Sequence, residues 1–217
     1  RGAEALWEDR AAAAVHRVEL YAIVGGVSEY ADPSLSLRFA AKDARDMALA
    51  IKTGASRLFG AGKVHLQLLT TDNGPLTIPP TKANFEKAFA EVRAKAKPED
   101  VVVVYLAGHG VSLSRGTDLY CYATAEARNL DPAILADPEL RKSTTITSEE
   151  LAEWTKQIPA QKQVLILDTC AAGAAAARLT EKRDISGDQI RALDRLKDRT
   201  GFHVLLGCAS DRVSYEA

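Results

Sequence analysis

The chain has 217 residues, of which 47% are hydrophobic and 26% are charged, and its formal net charge is −1. These values are ordinary for a folded domain, and a charge so close to zero excludes the broad basic field typical of nucleic-acid binding. The longest apolar runs are of strand length, well short of the ~18 residues of a membrane span. We therefore expect neither a nucleic acid nor a membrane as a partner.

The cysteine content and the N-terminus bear on location. Cys121, Cys170 and Cys208 are too few, and odd in number, for a disulfide framework. The N-terminal segment lacks the apolar core of a signal peptide. We therefore expect a cytoplasmic protein, with residues 1–17 forming a helical extension or linker and residues 18–217 forming one domain.

Strand and helix patterns alternate through residues 18–217. The apolar runs that indicate strands are 18–26, 63–70, 101–108, 118–124, 162–169 and 202–210, and helical periodicity is present in 37–55, 81–96, 147–158 and 186–200. This alternation predicts an α/β fold with a mainly parallel sheet and right-handed crossovers.

Local signals set the expected helix ends. Thr81 is a candidate N-cap, and Thr147 with Glu150 has the spacing of a capping box. Gly54 is the expected end of the first helix. The polar stretch that contains Pro132 and Pro138 leads to the helix expected to begin at Thr147.

Two strand patterns end in small residues that carry a single reactive side chain. The run VVVVYLAGHG carries His109, and the run KQVLILDTCAAG carries Cys170. The carboxyl ends of parallel strands meet at one edge of a sheet, where active groups collect. The two side chains can therefore lie together and act as a cysteine nucleophile with a histidine base.

The two motifs resemble a known family. YLAGHG (105–110) and LDTCAAG (167–173) resemble the catalytic signatures of caspase-like cysteine peptidases, and the chain is most similar to bacterial metacaspases, also called orthocaspases. The segment AKDARDM (41–47) is similar to the family's N-D-A element. The resemblance spans 18–217 and implies a caspase-like fold, a parallel sheet sandwiched by helices. It also implies that the chain ends before the family's last strand and helix, so that a separate C-terminal fragment or an upstream regulatory domain is an expected partner.

The resemblance assigns the chemical roles. Cys170 is the implied nucleophile and His109 the implied general acid or base, and the backbone N–H groups of Gly110 and Cys170 form the implied oxyanion hole. Such an enzyme needs no cofactor, and no cysteine or histidine cluster at metal-ligand spacing is present in the sequence. The implied activity is endoproteolysis in regulated processes such as cell death, stress or defence signalling.

Substrate preference is implied by carboxylates. Asp168 and Asp43 match aspartates of metacaspases that cleave after arginine or lysine, and Asp211 is a candidate for the same pocket. Carboxylates bind a guanidinium group bidentately and repel acidic side chains. The simpler interpretations are a solvated or capping role for Asp43 and a structural hydrogen bond for Asp168.

Other interpretations stay open. Arg38 and Arg212 are compatible with cleavage after aspartate, and an inactive caspase-like scaffold is compatible with Ala171-Ala172-Gly173, where the family usually has His-Ser-Gly. Residues 174–177 lack the acid that many metacaspases use to bind calcium, so calcium dependence is not expected. A flavodoxin-like nucleotide binder has little support because the first strand lacks a phosphate-binding glycine motif.

Overall fold

The computed structural model describes residues 18–72, 74–113, 119–169 and 202–206. Within these ranges the elements in chain order are β1 (Leu20–Gly26), a 3-10 turn (Pro33–Leu35), α1 (Ala40–Phe59), a second 3-10 turn (Ala61–Lys63), β2 (Val64–Thr70), β3 (Thr77–Ile78), α2 (Lys82–Lys95), β4 (Val101–Gly108), β5 (Gly110–Leu113), β6 (Leu119–Ala123), α3 (Pro132–Leu135), α4 (Pro138–Thr144), β7 (Thr145–Thr147), α5 (Ser148–Lys156), β8 (Lys162–Thr169) and β9 (Phe202–Leu206). The helices expected in 1–17 and 186–200 lie outside the described residues.

Six of the described strands form the central sheet, in the order β3-β2-β1-β4-β8-β9. Every neighbouring pair is parallel, and β4 pairs with β8 along its whole length, from Val101 opposite Lys162 to Gly108 opposite Thr169. The predicted α/β fold with a mainly parallel sheet is confirmed. The carboxyl ends of β1, β4 and β8 therefore meet at one edge.

The two faces of the sheet are buried against different helices. Leu20, Ala22 and Val24 pack with α1, whereas Tyr21 and Ile23 pack in the cluster that includes α2 and α5. A strand buried on both faces reads as a continuous apolar run because neither face needs polar residues. This is why the central strands could be recognised in the sequence.

A second sheet was not predicted. β5, β6 and β7 form three antiparallel strands, with Gly110 opposite Tyr122 and Cys121 opposite Thr147. β5 has only four residues and follows β4 after a single residue, so its pattern merges with that of β4. This small sheet lies directly beyond the histidine motif.

One predicted boundary was wrong. α1 continues through Gly54 and ends at Gly60, which has a φ of 93°. Nothing lies within 4 Å of a Cβ built on Gly54, and a helical glycine costs only about 1 kcal/mol relative to alanine, so packing of the helix overrides it. The polar stretch, for which no element was predicted, holds α3 and α4, which begin at Pro132 and Pro138, because an N-capping aspartate followed by proline favours a helix start.

Two capping predictions are confirmed. The Thr81 side chain accepts a hydrogen bond from the Asn84 N–H, at 3.3 Å, and begins α2. Thr147 and Glu150 form a reciprocal capping box at the start of α5. In the described ranges, no helix is both long and apolar enough to cross a membrane.

We expect Gly26→Ala to destabilise the fold. A Cβ at Gly26 would lie 2.5 Å from the Ala40 carbonyl oxygen and 2.5 Å from the Ala44 Cβ, so α1 would have to move away from β1. Overpacking of this kind typically costs about 1–3 kcal/mol, which lowers Tm by about 2–4 °C per kcal/mol in a chain of this size. Thermal unfolding followed by circular dichroism measures the shift.

The matched control is Gly54→Ala, the same substitution in open space on α1. We expect it to raise the free energy of unfolding by about 0.5–1 kcal/mol, because alanine favours the helix more than glycine does. Equal Tm values for the two variants would contradict the close contact between β1 and α1.

Candidate active site

His109 lies at the carboxyl end of β4, where the backbone makes an unusual turn. Gly108 has a φ of 142°, which lies in a region that favours glycine. A Cβ on Gly108 would lie 2.9 Å from the Tyr30 hydroxyl oxygen. The His109 N–H donates a hydrogen bond to that same hydroxyl at 3.0 Å. Glycine at 108 thus allows the chain to turn closely around Tyr30 and present His109 at the sheet edge.

The His109 imidazole is held from two sides. Its Nε2 lies 2.8 Å from the Leu35 carbonyl oxygen, and its ring centroid lies 5.1 Å from that of Tyr30. A carbonyl oxygen can only accept, so Nε2 must carry the hydrogen. In the neutral ring the lone pair is therefore on Nδ1, which can accept a proton.

Buried tyrosines of β6 form hydrogen bonds with residues at the ends of β4 and β8. The Tyr122 hydroxyl donates to the Ala107 carbonyl oxygen at 2.9 Å, and the Tyr120 hydroxyl lies 2.6 Å from Thr169 Oγ1. Both rings are fully buried. Buried hydrogen-bonded groups of this kind fix a local geometry because leaving them unpaired is costly. Ala107 and Thr169, which lie shortly before His109 and Cys170 in the sequence, are thereby held in place.

Gly110 begins β5 at a position that turns its N–H away from the small sheet. The Ala123 N–H donates to the His109 carbonyl oxygen at 3.0 Å. In an antiparallel ladder, hydrogen-bonded and non-hydrogen-bonded pairs alternate. The pair Gly110–Tyr122 is therefore of the non-hydrogen-bonded kind, and the Gly110 N–H is directed to the side opposite β6.

Asp168 and Asp43 share Tyr105 as a neighbour. The Tyr105 hydroxyl donates to Asp168 Oδ2 at 3.0 Å. Burial raises the pKa of Tyr105, and the negative charges of Asp168 and Asp43 raise that pKa further. Tyr105 therefore remains a protonated donor, and two exposed carboxylates lie on the α1 side of the sheet near the end of β8. The structural hydrogen bond considered for Asp168 is present.

Several predicted site residues cannot be placed. Cys170, Asp211 and Arg212 lie outside the described residues, and Cys170 directly follows Thr169 in the sequence. Arg38 is exposed and its guanidinium lies 4.9 Å from the centroid of the Phe39 ring. The structure thus brings His109, Gly110, Asp43 and Asp168 to one end of the sheet.

Three residues of this region were not predicted from the sequence, namely Tyr30, Tyr120 and Tyr122. For the last two a signal was available, because the alternation in strand 118–124 places both tyrosines on one face. Tyr30 had none, since its position in a loop after β1 does not reveal its contact with His109.

Neither Cys121 nor a metal cluster among the described residues adds to this candidate site. Burial raises the pKa of the Cys121 thiol to about 11, so it is a poor nucleophile near neutral pH. Within the described ranges, no group of three histidine, cysteine or acidic side chains is placed to hold a metal ion.

Comparisons with known proteins agree with the geometry. The family model described as Caspase domain matches residues 20–217. Among solved structures, a crystal structure of a Geobacter sulfurreducens protein from a structural genomics programme is similar, with a TM-score of 0.53 and 15% identity over 92% of this chain and 76% of that protein. At this identity the likeness concerns the fold alone. A search of curated proteins gave no match.

Proposed function

The chain belongs to the family of caspase domains, and from this premise we propose that it is an active cysteine endopeptidase of the metacaspase type that cleaves after arginine or lysine. Family membership itself supports a function like that of a cysteine peptidase, with a protein or peptide as substrate. The subtype, the dyad of His109 and Cys170, the preference for basic residues and a cytoplasmic location are part of the proposal.

The orientation of His109 carries this proposal. Its Nε2–H is committed to the Leu35 carbonyl, so Nδ1 is the nitrogen that can exchange a proton with a thiol. β8 lies beside β4, and its last residue, Thr169, pairs with Gly108. Cys170 is the next residue after Thr169, and His109 is the next residue after Gly108. Each group thus directly follows, in the sequence, one of two paired strand ends, and this supports the proposal that His109 and Cys170 act together.

The proposed reaction assigns successive steps to His109 and Cys170. Nδ1 of His109 accepts the Cys170 proton, and the thiolate attacks the carbonyl carbon of the scissile bond to form a C–S bond. The C–N bond then breaks while the imidazolium gives its proton to the departing amine. Water next attacks the thioester with the imidazole as base, which releases the acid and restores the thiol.

Gly110 is proposed to stabilise the negative charge that develops on the carbonyl oxygen. Its N–H is directed away from β6, as the alternation of the ladder requires. With the N–H of Cys170 it would form an oxyanion hole, and removal of one such donor typically costs about 10²- to 10³-fold in kcat.

The preference for a basic residue rests on Asp43 and Asp168. The negative charges of both carboxylates raise the pKa of Tyr105. The hydrogen bond from the Tyr105 hydroxyl occupies Asp168 Oδ2, so the second oxygen of Asp168 can accept a hydrogen bond from a guanidinium or ammonium group. Asp211 is proposed as a third member of this pocket. Acidic substrates would be repelled by the same charges.

Active-site labelling tests the proposal. We expect an electrophilic ketone with an arginyl or lysyl side chain to modify Cys170, identified by mass spectrometry of the intact protein and its peptides. Cys121 is an internal control, because its raised pKa of about 11 keeps its thiol protonated and unreactive.

The outcomes separate the alternatives. Modification of Cys170 by an aspartyl probe alone would retain the peptidase and contradict the basic preference. Absence of modification by every probe, in a protein that unfolds cooperatively, would favour the inactive scaffold.

A further inference from the structure

A cavity lies at the same edge of the sheet, on the far side of β1 from β4. It has a volume of about 660 Å³ and is lined by residues that follow β1, β2 and β3, among them Glu29, Tyr30, Thr71 and Asp72. Volumes of 300–1,000 Å³ are typical of sites that bind ligands.

The loops around the cavity are fixed by hydrogen bonds. The Thr71 hydroxyl accepts from the N–H groups of Ser28 and Glu29, at 3.1 and 3.3 Å. The Ala31 N–H donates to the Ala125 carbonyl oxygen at 2.8 Å, which joins the opposite wall. These hydrogen bonds fix the loops that line the cavity, so little ordering is needed for binding.

One polar group in the wall is incompletely satisfied. Thr70 is 2% exposed, and its Oγ1 has no hydrogen-bond partner among the described residues. A buried hydroxyl without a partner costs about 1–3 kcal/mol. Because that oxygen is enclosed, it is not itself a contact for a ligand in the cavity.

The charge of the cavity is negative. Glu29 is exposed, whereas the carboxylate of Asp72 is balanced by Arg45, whose Nε lies 3.0 Å from Asp72 Oδ2. A ligand therefore meets the exposed carboxylate of Glu29 and the side chain of Thr71. This favours a basic or neutral polar side chain and disfavours an acidic one.

The order of the strands indicates which part of a substrate can reach the cavity. The sequence of strand ends is β8, β4, β1 and β2, so the cavity lies on the opposite side of His109 from β8. Tyr30 lines the cavity and also contacts the His109 ring. In the proposed reaction the amine that leaves is the one protonated by His109, and the chain attached to it continues away from Cys170.

We propose that this cavity binds the residues on the carboxyl side of the scissile bond and selects a basic side chain there over an acidic one. The inference rests on the proposed peptidase function. It makes Glu29 a determinant of specificity, separate from the pocket formed by Asp43 and Asp168.

Paired peptides test the inference. Internally quenched peptides with the same arginine before the scissile bond would carry either lysine or glutamate at each of the three positions after it. We expect kcat/KM to favour lysine over glutamate by about three- to tenfold at one position, as for a partly exposed charge pair. Glu29→Lys should reverse that ratio.

Glu99→Lys is the matched control. It makes the same charge change on an exposed residue just before β4, at the opposite edge of the sheet, and should leave the ratio unchanged. A ratio of one at every position, or a ratio that Glu29→Lys does not change, would overturn the inference while leaving the peptidase intact.

A binding measurement keeps the inference testable without turnover. Peptides corresponding to the released product, with a free amine and either lysine or glutamate, would be titrated into the Cys170→Ala protein and followed by amide NMR. We expect the lysine peptide to shift the amides of Glu29 and Thr71, and expect Glu29→Lys to abolish the shifts. Binding without any cleavage by the wild-type chain would contradict the proposed function and leave the cavity as a peptide site with this charge preference. Cleavage without binding of either peptide would contradict the inference alone, and absence of both would contradict the two together.

Discussion

Replacement of His109 by alanine is expected to lower kcat for an arginine substrate by about 10²- to 10⁴-fold, the usual contribution of a positioned acid or base. Cys170→Ala is expected to remove measurable turnover, because the acyl intermediate of the proposed reaction forms on the Cys170 sulfur. The physical reason for the His109 effect is its orientation, since the Leu35 carbonyl holds Nε2–H and leaves Nδ1 to exchange protons. Hydrolysis of fluorogenic peptides that end in arginine, lysine or aspartate measures both effects.

A histidine of different environment provides the control for His109. His65 lies on β2, where Nε2 is 2.7 Å from Glu19 and the ring stacks on Tyr21 at 4.7 Å. These contacts are near the amino ends of the strands, away from the candidate site. His65→Ala should therefore keep kcat within about twofold, as expected for a change outside the reacting groups.

The control also separates chemistry from folding. If His109→Ala caused a large fall in Tm together with the fall in kcat, the loss of turnover would be structural. If His109→Ala retained most of the wild-type turnover, the proposed dyad would be wrong even if Cys170 proved to be the nucleophile.

The parallel sheet and the two strands that lead to His109 and Cys170 could be predicted because the relevant signals are local. β4 and β8 are continuous apolar runs, each followed by one reactive residue, and parallel strands place such residues at one edge. The end of α1 could not be predicted from Gly54, since the cost of one glycine is small beside the burial of the helix face.

The orientation of His109 depends on contacts that no local sequence pattern indicates. The partner of Nε2 is the backbone carbonyl of Leu35, which any residue at that position would supply. Tyr30 is distant in sequence from His109, and its role depends on the close turn at Gly108. The roles of Asp43 and Asp168 came from a family resemblance, and only the structure shows that both act on Tyr105.

The acidic pocket gives the second large expected effect. We expect Asp168→Asn and Asp43→Asn each to lower kcat/KM for an arginine substrate by about tenfold or more, because a charge-assisted hydrogen bond contributes more than a neutral one and each 1.4 kcal/mol is tenfold. The double variant should lose less than the product of the two single losses, since in the proposed pocket both carboxylates would contact the same guanidinium.

Asp46→Asn is the matched control for this pocket. Asp46 lies on the same helix as Asp43, is exposed, and pairs with Lys42 at 2.6 Å. The substitution removes the same charge from α1 without touching the carboxylates near Tyr105. We expect kcat/KM for arginine to remain within about twofold, because an exposed pair of this kind contributes little.

A neutral substrate distinguishes binding from structure. Citrulline has the shape of arginine without its charge, so the Asp168→Asn and Asp43→Asn losses should be much smaller on a citrulline peptide than on an arginine peptide. If Asp168 served only to accept the hydrogen bond from Tyr105, its replacement would reduce turnover of both peptides equally. Equal losses would thus assign Asp168 to the support of β8, whereas losses confined to arginine would establish that the carboxylate meets the substrate.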